Sequence, residues 1–157
     1  MDTLWAPWRI DYILQQKQDG CIFCDKPNEH DDEHNLIPYR GETCYIIMNY
    51  YPYNNGHIMV VPYRHTNDLT SLRTDENMEM MNLVSKSIEV LKKALNPHGF
   101  NIGMNLGSVA GAGVKDHLHF HVVPRWNGDM NYMPVIGHTK VISEALEETC
   151  KKIKAFF

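Results

Sequence analysis

The stretch His117-Leu118-His119-Phe120-His121-Val122-Val123 constrains this chain more than any other, because histidines alternate with apolar residues at a period of two. That period is the period of a β-strand, so His117, His119 and His121 share one surface while Leu118, Phe120 and Val122 point into a core. Imidazole has the unperturbed pKa nearest neutrality, and several on one face can supply a nucleophile, a proton donor and a metal ligand together. Just upstream lies Gly107-Ser108-Val109-Ala110-Gly111-Ala112-Gly113, whose small residues let backbone N–H groups close around anionic oxygens. A glycine-rich loop alone is a weak signal. Placed directly before a histidine-bearing strand, it points to phosphate.

The length of 157 residues fits one domain, 1–157, with its own core. A net charge of -4 argues against a nonspecific binder of nucleic-acid polymers, which needs a positive surplus to displace counterions. No apolar run approaches the roughly 18 residues of a bilayer span, and Met1-Asp2-Thr3-Leu4-Trp5 lacks the pattern of a secretory signal. The expectation is a cytoplasmic protein without membrane contact, whose four cysteines stay reduced.

Residues 1–20 read as an amphipathic aromatic arm carrying Trp5, Trp8, Tyr12 and Ile13. Strands are expected at 36–40, 43–48, 57–62, 100–106 and 117–123, with turn signals at Arg40-Gly41 and from Pro52 to Gly56. A long helix is expected from Thr74, as N-cap, to Asn96-Pro97. Its apolar positions Met81, Val84, Ile88, Leu91 and Leu95 recur every three or four residues, with Met78 and Met81 as core packing. A last helix begins near Ser143 and carries Leu146, Cys150 and Ile153. Cys44 and Cys150 read as core, and His30, His34, His98 and His138 carry no assigned role.

Cys21-Ile22-Phe23-Cys24 admits three readings. Two thiolates on a tight turn can grip one face of Zn²⁺ and need two further ligands. The thiols can also be plain reduced cysteines, or a redox pair, although the βαβ context of that motif is missing.

His117-x-His119-x-His121-Val122-Val123-Pro124-Arg125 resembles the histidine-triad (HIT) nucleotide hydrolases and transferases. Cys21-Ile22-Phe23-Cys24, the segment from Gly56-His57 to Arg64-His65, and Asn105-x-Gly107-x-x-Ala110-Gly111 are similar to other parts of the family's pattern. Leu4-Trp5-Ala6-Pro7-Trp8-Arg9 and Pro124-Arg125-Trp126-Asn127-Gly128-Asp129 resemble bacterial HIT proteins related to diadenosine tetraphosphate (Ap4A) phosphorylases. The resemblance implies an α+β fold, an antiparallel sheet of about five strands backed by one long helix and a C-terminal helix, and a homodimer.

It also implies chemistry. His119 is the expected nucleophile toward the α-phosphorus of a nucleotide, with His121 at the phosphate and His57 completing the proton network. Asn49, Asn105, Gly107, Ser108, Gly111, Gly113 and Arg125 are the expected nucleotide and phosphate contacts. The loop departs from the family in having Ala112-Gly113-Val114 where many members carry Gln or a hydroxyl, which shifts the burden to backbone amides and Ser108. Cys21, Cys24, His65 and His117 are the implied ligands of a structural Zn²⁺. The small-molecule partner is a nucleotide such as Ap4A, cleaved with phosphate or water as acceptor. Two rivals stay open: a metal-centred enzyme built on His119-x-His121, and a nucleotide-binding regulator with negligible turnover.

Overall fold

The computed structural model describes residues 20–129 and 140–157. The fold is α+β. Five strands, β1 (Tyr39–Arg40), β2 (Cys44–Met48), β3 (Ile58–Pro62), β4 (Gly99–Gly103) and β5 (Phe120–Arg125), form one antiparallel sheet in the order β1-β2-β3-β5-β4. Helix α1 (Ile22–Asn28) precedes the sheet, α2 (Thr74–Leu95) joins β3 to β4, and α3 (Leu146–Lys154) closes the chain. None of these helices is long and apolar enough to cross a membrane.

Both faces of the central strands are covered, so β2 and β3 are buried at every position rather than alternating with polar residues. On one face Ile46, Met48, Ile58, Val60 and Val122 pack against Leu83, Val84 and Leu91 of α2 and Ile153 of α3. On the other, Tyr45, Ile47, Met59 and Val61 pack against Phe23 of α1. Met59 faces His121 across the β3–β5 ladder, which puts the odd-numbered histidines on the α1 side.

Helix α2 starts one residue away from the expected cap. Arg73 is the N-cap, and its amide donates to Glu76 at 2.8 Å. Asn96 ends the helix in the left-handed conformation, φ 48°, just before Pro97. The buried stripe is Glu76, Met80, Leu83, Val84, Ser87, Val90 and Leu91, while Met78 and Met81 are 62% and 51% exposed. The expected packing role of those two methionines is thereby corrected. The true stripe includes two polar residues, and Glu76 is admitted to the interior because Arg64 grips it with Nε at 2.9 Å and Nη2 at 2.7 Å. That contact holds the Glu76 carboxyl down at about 2.

The strand expected at 36–40 shrinks to two residues. Leu36 takes a left-handed φ of 55°, and Pro38 has no N–H to give a ladder. The expected 117–123 strand is displaced to Phe120–Arg125. Before it, the Leu118 amide bonds to Thr66 O at 2.8 Å, so the first triad histidines sit on extended chain outside the ladder. The last helix begins at Leu146, with Thr149, Cys150 and Ile153 buried. The aromatic arm of residues 1–19 and His138 lie outside the described residues.

Candidate active site and metal cluster

His57 immediately precedes β3, and its carbonyl accepts the Asn49 amide at 2.9 Å. Across the sheet, β5 carries His121, and His57 Nε2 lies 2.9 Å from His121 Nδ1. The His119 and His121 rings meet edge to face, centroids 4.8 Å apart. His57 and His119 are buried at 0% and 4% exposure. Burial, reinforced by the neighbouring imidazoles, pulls His57 down to about 3 and His121 to about 4. Burial lowers His119 as well, against the opposing pull of its hydrogen bond to the His117 carbonyl. All three rings are therefore neutral at pH 7, and each carries one ring hydrogen.

The partners decide where those hydrogens sit. The His117 carbonyl, 2.9 Å from His119 Nδ1, can only accept, so His119 holds its hydrogen on Nδ1 and leaves Nε2 with a free lone pair. The Tyr53 amide, 3.1 Å from His57 Nδ1, can only donate, so the His57 hydrogen lies on Nε2. That N–H donates to His121 Nδ1, which puts the His121 hydrogen on Nε2. Asn49 Nδ2 stands 3.4 Å from His57 Nε2; both atoms carry hydrogens, so this is a contact and not a hydrogen bond. Asn49 Oδ1 accepts from the Tyr51 amide at 2.9 Å.

His117 leaves the other two triad members. Its Nε2 donates to Pro62 O at 2.8 Å, and its Nδ1 lone pair faces Cys21 Sγ at 3.2 Å, Cys24 Sγ at 3.5 Å and His65 Nδ1 at 3.3 Å. The Cys-x-x-Cys spacing works because Cys21 caps α1 and its carbonyl accepts the amides of Cys24 and Asp25 at 2.8 and 2.9 Å, turning both sulfurs to one side. The four donor atoms lie within 4.8 Å of one another. Burial, with Cys21 alongside, pushes the Cys24 thiol up to about 11, so its thiolate needs a cation close by. Two sulfurs and two imidazole lone pairs converging on one point fit a metal ion. Among the described residues this is the grouping of donors that could hold one; His119 and His121 are not in it.

Gly107 and Gly111 adopt φ of 80° and 88°, values that favour glycine. Between them Ser108–Ala110 forms a single 3-10 turn, and the Gly111 and Ala112 amides bond back to Ser108 O and Gly107 O. A side chain on Gly111 would stand 3.9 Å from Asn105 Nδ2, which makes Asn105 and Gly111 neighbours. Gly113 lies instead beside the Cys/His cluster, in a cleft of about 740 Å³ shared with Cys21, His65, Val114 and Asp116. Arg125, expected at the nucleotide, spends its guanidinium within the protein, on Asp129 at 2.6 and 2.9 Å and on Asn101 Oδ1 at 2.6 Å. Trp126 Nε1 donates to Asn96 O at 3.2 Å.

Three contributors carry no sequence motif. Phe23 lies between the Cys/His cluster and the His119–His121 face, 5.6 Å from the His117 ring and 5.0 Å from that of His119. The Tyr45 hydroxyl donates to Phe23 O at 2.7 Å and pins α1 to the sheet. The third is the Tyr53 amide. An apolar residue inside Cys-x-x-Cys was the one available hint, since it had to pack on something.

Residues 32–128 match the HIT domain family model. The chain belongs to the HIT family. A HIT relative named AP-4-A phosphorylase, from Mycobacterium tuberculosis, is 42% identical over 158 residues, covering 95% of this chain and 80% of that protein. Among solved HIT structures, a zinc-bound histidine triad family protein from Mycobacterium smegmatis aligns with a TM-score of 0.71 at 27% identity, covering 87% of this chain and 92% of that one. A hypothetical histidine triad nucleotide-binding protein from Sulfolobus tokodaii aligns equally well, with a TM-score of 0.71 at 26% identity over 87% of this chain and 91% of that one.

Proposed function

We propose that this HIT protein cleaves a nucleotide phosphoanhydride by transferring a nucleotidyl group through His119, with a dinucleoside polyphosphate such as Ap4A as substrate. The observation that carries the reading is the 2.9 Å contact from His119 Nδ1 to the His117 carbonyl, which leaves Nε2 unprotonated. The relative named AP-4-A phosphorylase supports the substrate class.

In the first step the Nε2 lone pair attacks the α-phosphorus, a P–N bond forms, and the P–O bond to the bridging oxygen breaks with its electron pair on the leaving polyphosphate. The phosphorylated ring becomes a cation. Its Nδ1–H stays on the His117 carbonyl, whose partial negative charge faces the new positive charge. His121 Nε2–H donates to a phosphate oxygen and offsets charge building on the leaving side, while His57 holds His121 in that orientation. Phosphate or water then attacks the same phosphorus through an oxygen that gives up its proton to solvent, the P–N bond breaks, and its electrons return to Nε2. The amides of Gly107, Ser108 and Val109, together with the Ser108 hydroxyl and Asn105, bind the phosphates, and Asn49 contacts a ribose hydroxyl.

Cys21, Cys24, His65 and His117 would hold a structural Zn²⁺, a reading supported by their convergence and by the zinc-bound relative. Bound there, the ion would act as a Lewis acid that keeps both thiols ionised and fixes the His117 ring. With these four ligands an ion there would be structural, and the proposed chemistry belongs to the neighbouring imidazoles. The chain acts as a homodimer, supported by β4 being an edge strand of the sheet among the described residues, with Ile102 43% exposed.

The test is incubation of the protein with Ap4A, with and without inorganic phosphate, and separation of products by ion exchange. Phosphate-dependent ADP plus ATP marks a phosphorylase, and phosphate-independent products mark a hydrolase. His119→Ala abolishes turnover and the acid-labile nucleotidyl adduct while leaving nucleotide binding; turnover persisting in that variant removes the nucleophile assignment.

A further inference from the structure

Asp129, with its side chain 9% exposed, gathers four donors where the chain leaves β5. Arg125 gives it Nε at 2.6 Å and Nη2 at 2.9 Å, the Trp126 amide approaches at 3.2 Å, and Asn54 Nδ2 at 2.8 Å. Asn54 is 7% exposed, and its amide nitrogen also donates to Pro124 O at 3.0 Å. Both its hydrogens are therefore spent on tying the loop before β3 to the end of β5. The same residue's carbonyl accepts the His57 amide at 3.2 Å. The preceding amide, that of Tyr53, is the one at 3.1 Å from His57 Nδ1.

A pair of neutral imidazoles joined by one hydrogen bond has two possible directions. His57 Nε2–H can donate to His121 Nδ1, or His121 Nδ1–H can donate to His57 Nε2. The first leaves His121 showing an N–H at its far nitrogen, and the second leaves a lone pair there, which would repel phosphate oxygens. The second also needs a hydrogen on His57 Nδ1, where it would face the hydrogen of the Tyr53 amide. That amide therefore selects the direction, provided the turn holds it in place.

We propose that Asn54 and Asp129 are positioning residues: their hydrogen bond fixes the 53–57 turn so that the Tyr53 amide meets His57 Nδ1 and commits His121 to present a donor to the substrate. The inference rests on the proposed roles of His57 and His121. It turns the post-strand segment Arg125-Trp126-Asn127-Gly128-Asp129 into part of the active-site scaffold rather than a nucleotide contact.

The test uses the full-length protein labelled with ¹⁵N-histidine and long-range ¹H–¹⁵N spectra of the ring nitrogens, recorded without substrate. Wild type should show His57 and His121 protonated on Nε2 alone. Asn54→Asp sets a second carboxylate against Asp129; it should give intermediate shifts for both rings, with kcat reduced about tenfold and KM within about threefold of wild type. Asp129→Asn keeps an oxygen for Asn54 and should retain the wild-type ring signals. If Asn54→Asp does not fold, Asn54→Ala is read by the same signals. A wild-type His57 hydrogen on Nδ1, or unchanged ring signals in the Asn54 variant whatever its kcat, overturns the proposal. Because the spectra need no turnover, they stand apart from the question of whether His119 is the nucleophile.

Discussion

The Phe23 ring lies 5.0 Å from the ring of His119, centroid to centroid, at an interplanar angle of 47°. It is 1% exposed and sits between the two cysteines of the Cys/His cluster, so the cluster and His119 share a wall. Phe23→Ala should remove that wall and cost about 3 kcal/mol of stability. Turnover should fall at the same time, because the His119 ring loses the surface that limits its rotation. Urea denaturation and steady-state kinetics on one preparation check this. A variant as active as wild type would show that His119 is held by the His117 carbonyl alone.

The cluster should carry metal. Mass-spectrometric metal analysis of the protein as purified is expected to find about one zinc per chain. Cys24→Ala should lose most of it and unfold at lower temperature, since ligand binding free energy is folding free energy at such sites. A variant that keeps its full zinc content would place the ion elsewhere.

Acid should destabilise the protein through its buried imidazoles. His57 and His121 are held down at about 3 and about 4, against about 6.5 in an unfolded chain. Between those values the unfolded chain binds more protons than the folded one, so stability rises with pH across this window. The contribution is complete above about pH 6.5 and drains away as pH falls toward the folded values. Glu76, held at about 2, works in the same direction at lower pH. Urea midpoints measured from pH 7 to pH 4 should fall steadily, and His57→Gln should flatten the fall. A midpoint constant from pH 7 to pH 5 would contradict the buried, neutral state of these rings.

Gly111→Ala tests the loop. At φ 88° an alanine should cost about 2 kcal/mol of backbone strain, and its methyl would stand 3.9 Å from Asn105 Nδ2, an ordinary contact. The expected outcome is a modest fall in melting temperature and a larger rise in KM for Ap4A, with kcat less affected. An unchanged KM would take this loop out of phosphate binding.

The triad and its near neighbours were legible because imidazoles and thiols are rare enough to stand out. His57, His119 and His121 come together as expected, and so do Cys21, Cys24, His65 and His117. The misreadings have physical causes. The core stripe of α2 was hidden because Glu76 and Ser87 occupy it, and a hydrophobic pattern is blind to a carboxylate whose burial an arginine offsets. For Arg125, read at the nucleotide or as a rim salt bridge, the guanidinium bonds Asp129 four residues on and Asn101 on the neighbouring strand, and the second partner is one that no spacing along the chain encodes.

The ring hydrogens of His117, His119 and His57 are each placed by a main-chain atom: Pro62 O, His117 O and the Tyr53 N–H. Every amino acid offers a carbonyl and all but proline an amide, so drift at position 53 can change the side chain and keep the contact. Proline at position 53 should therefore be the change that deletes this positioning contact outright, whereas other substitutions act through the Tyr53 ring, whose centroid lies 4.8 Å from that of His57 and 5.8 Å from that of His121.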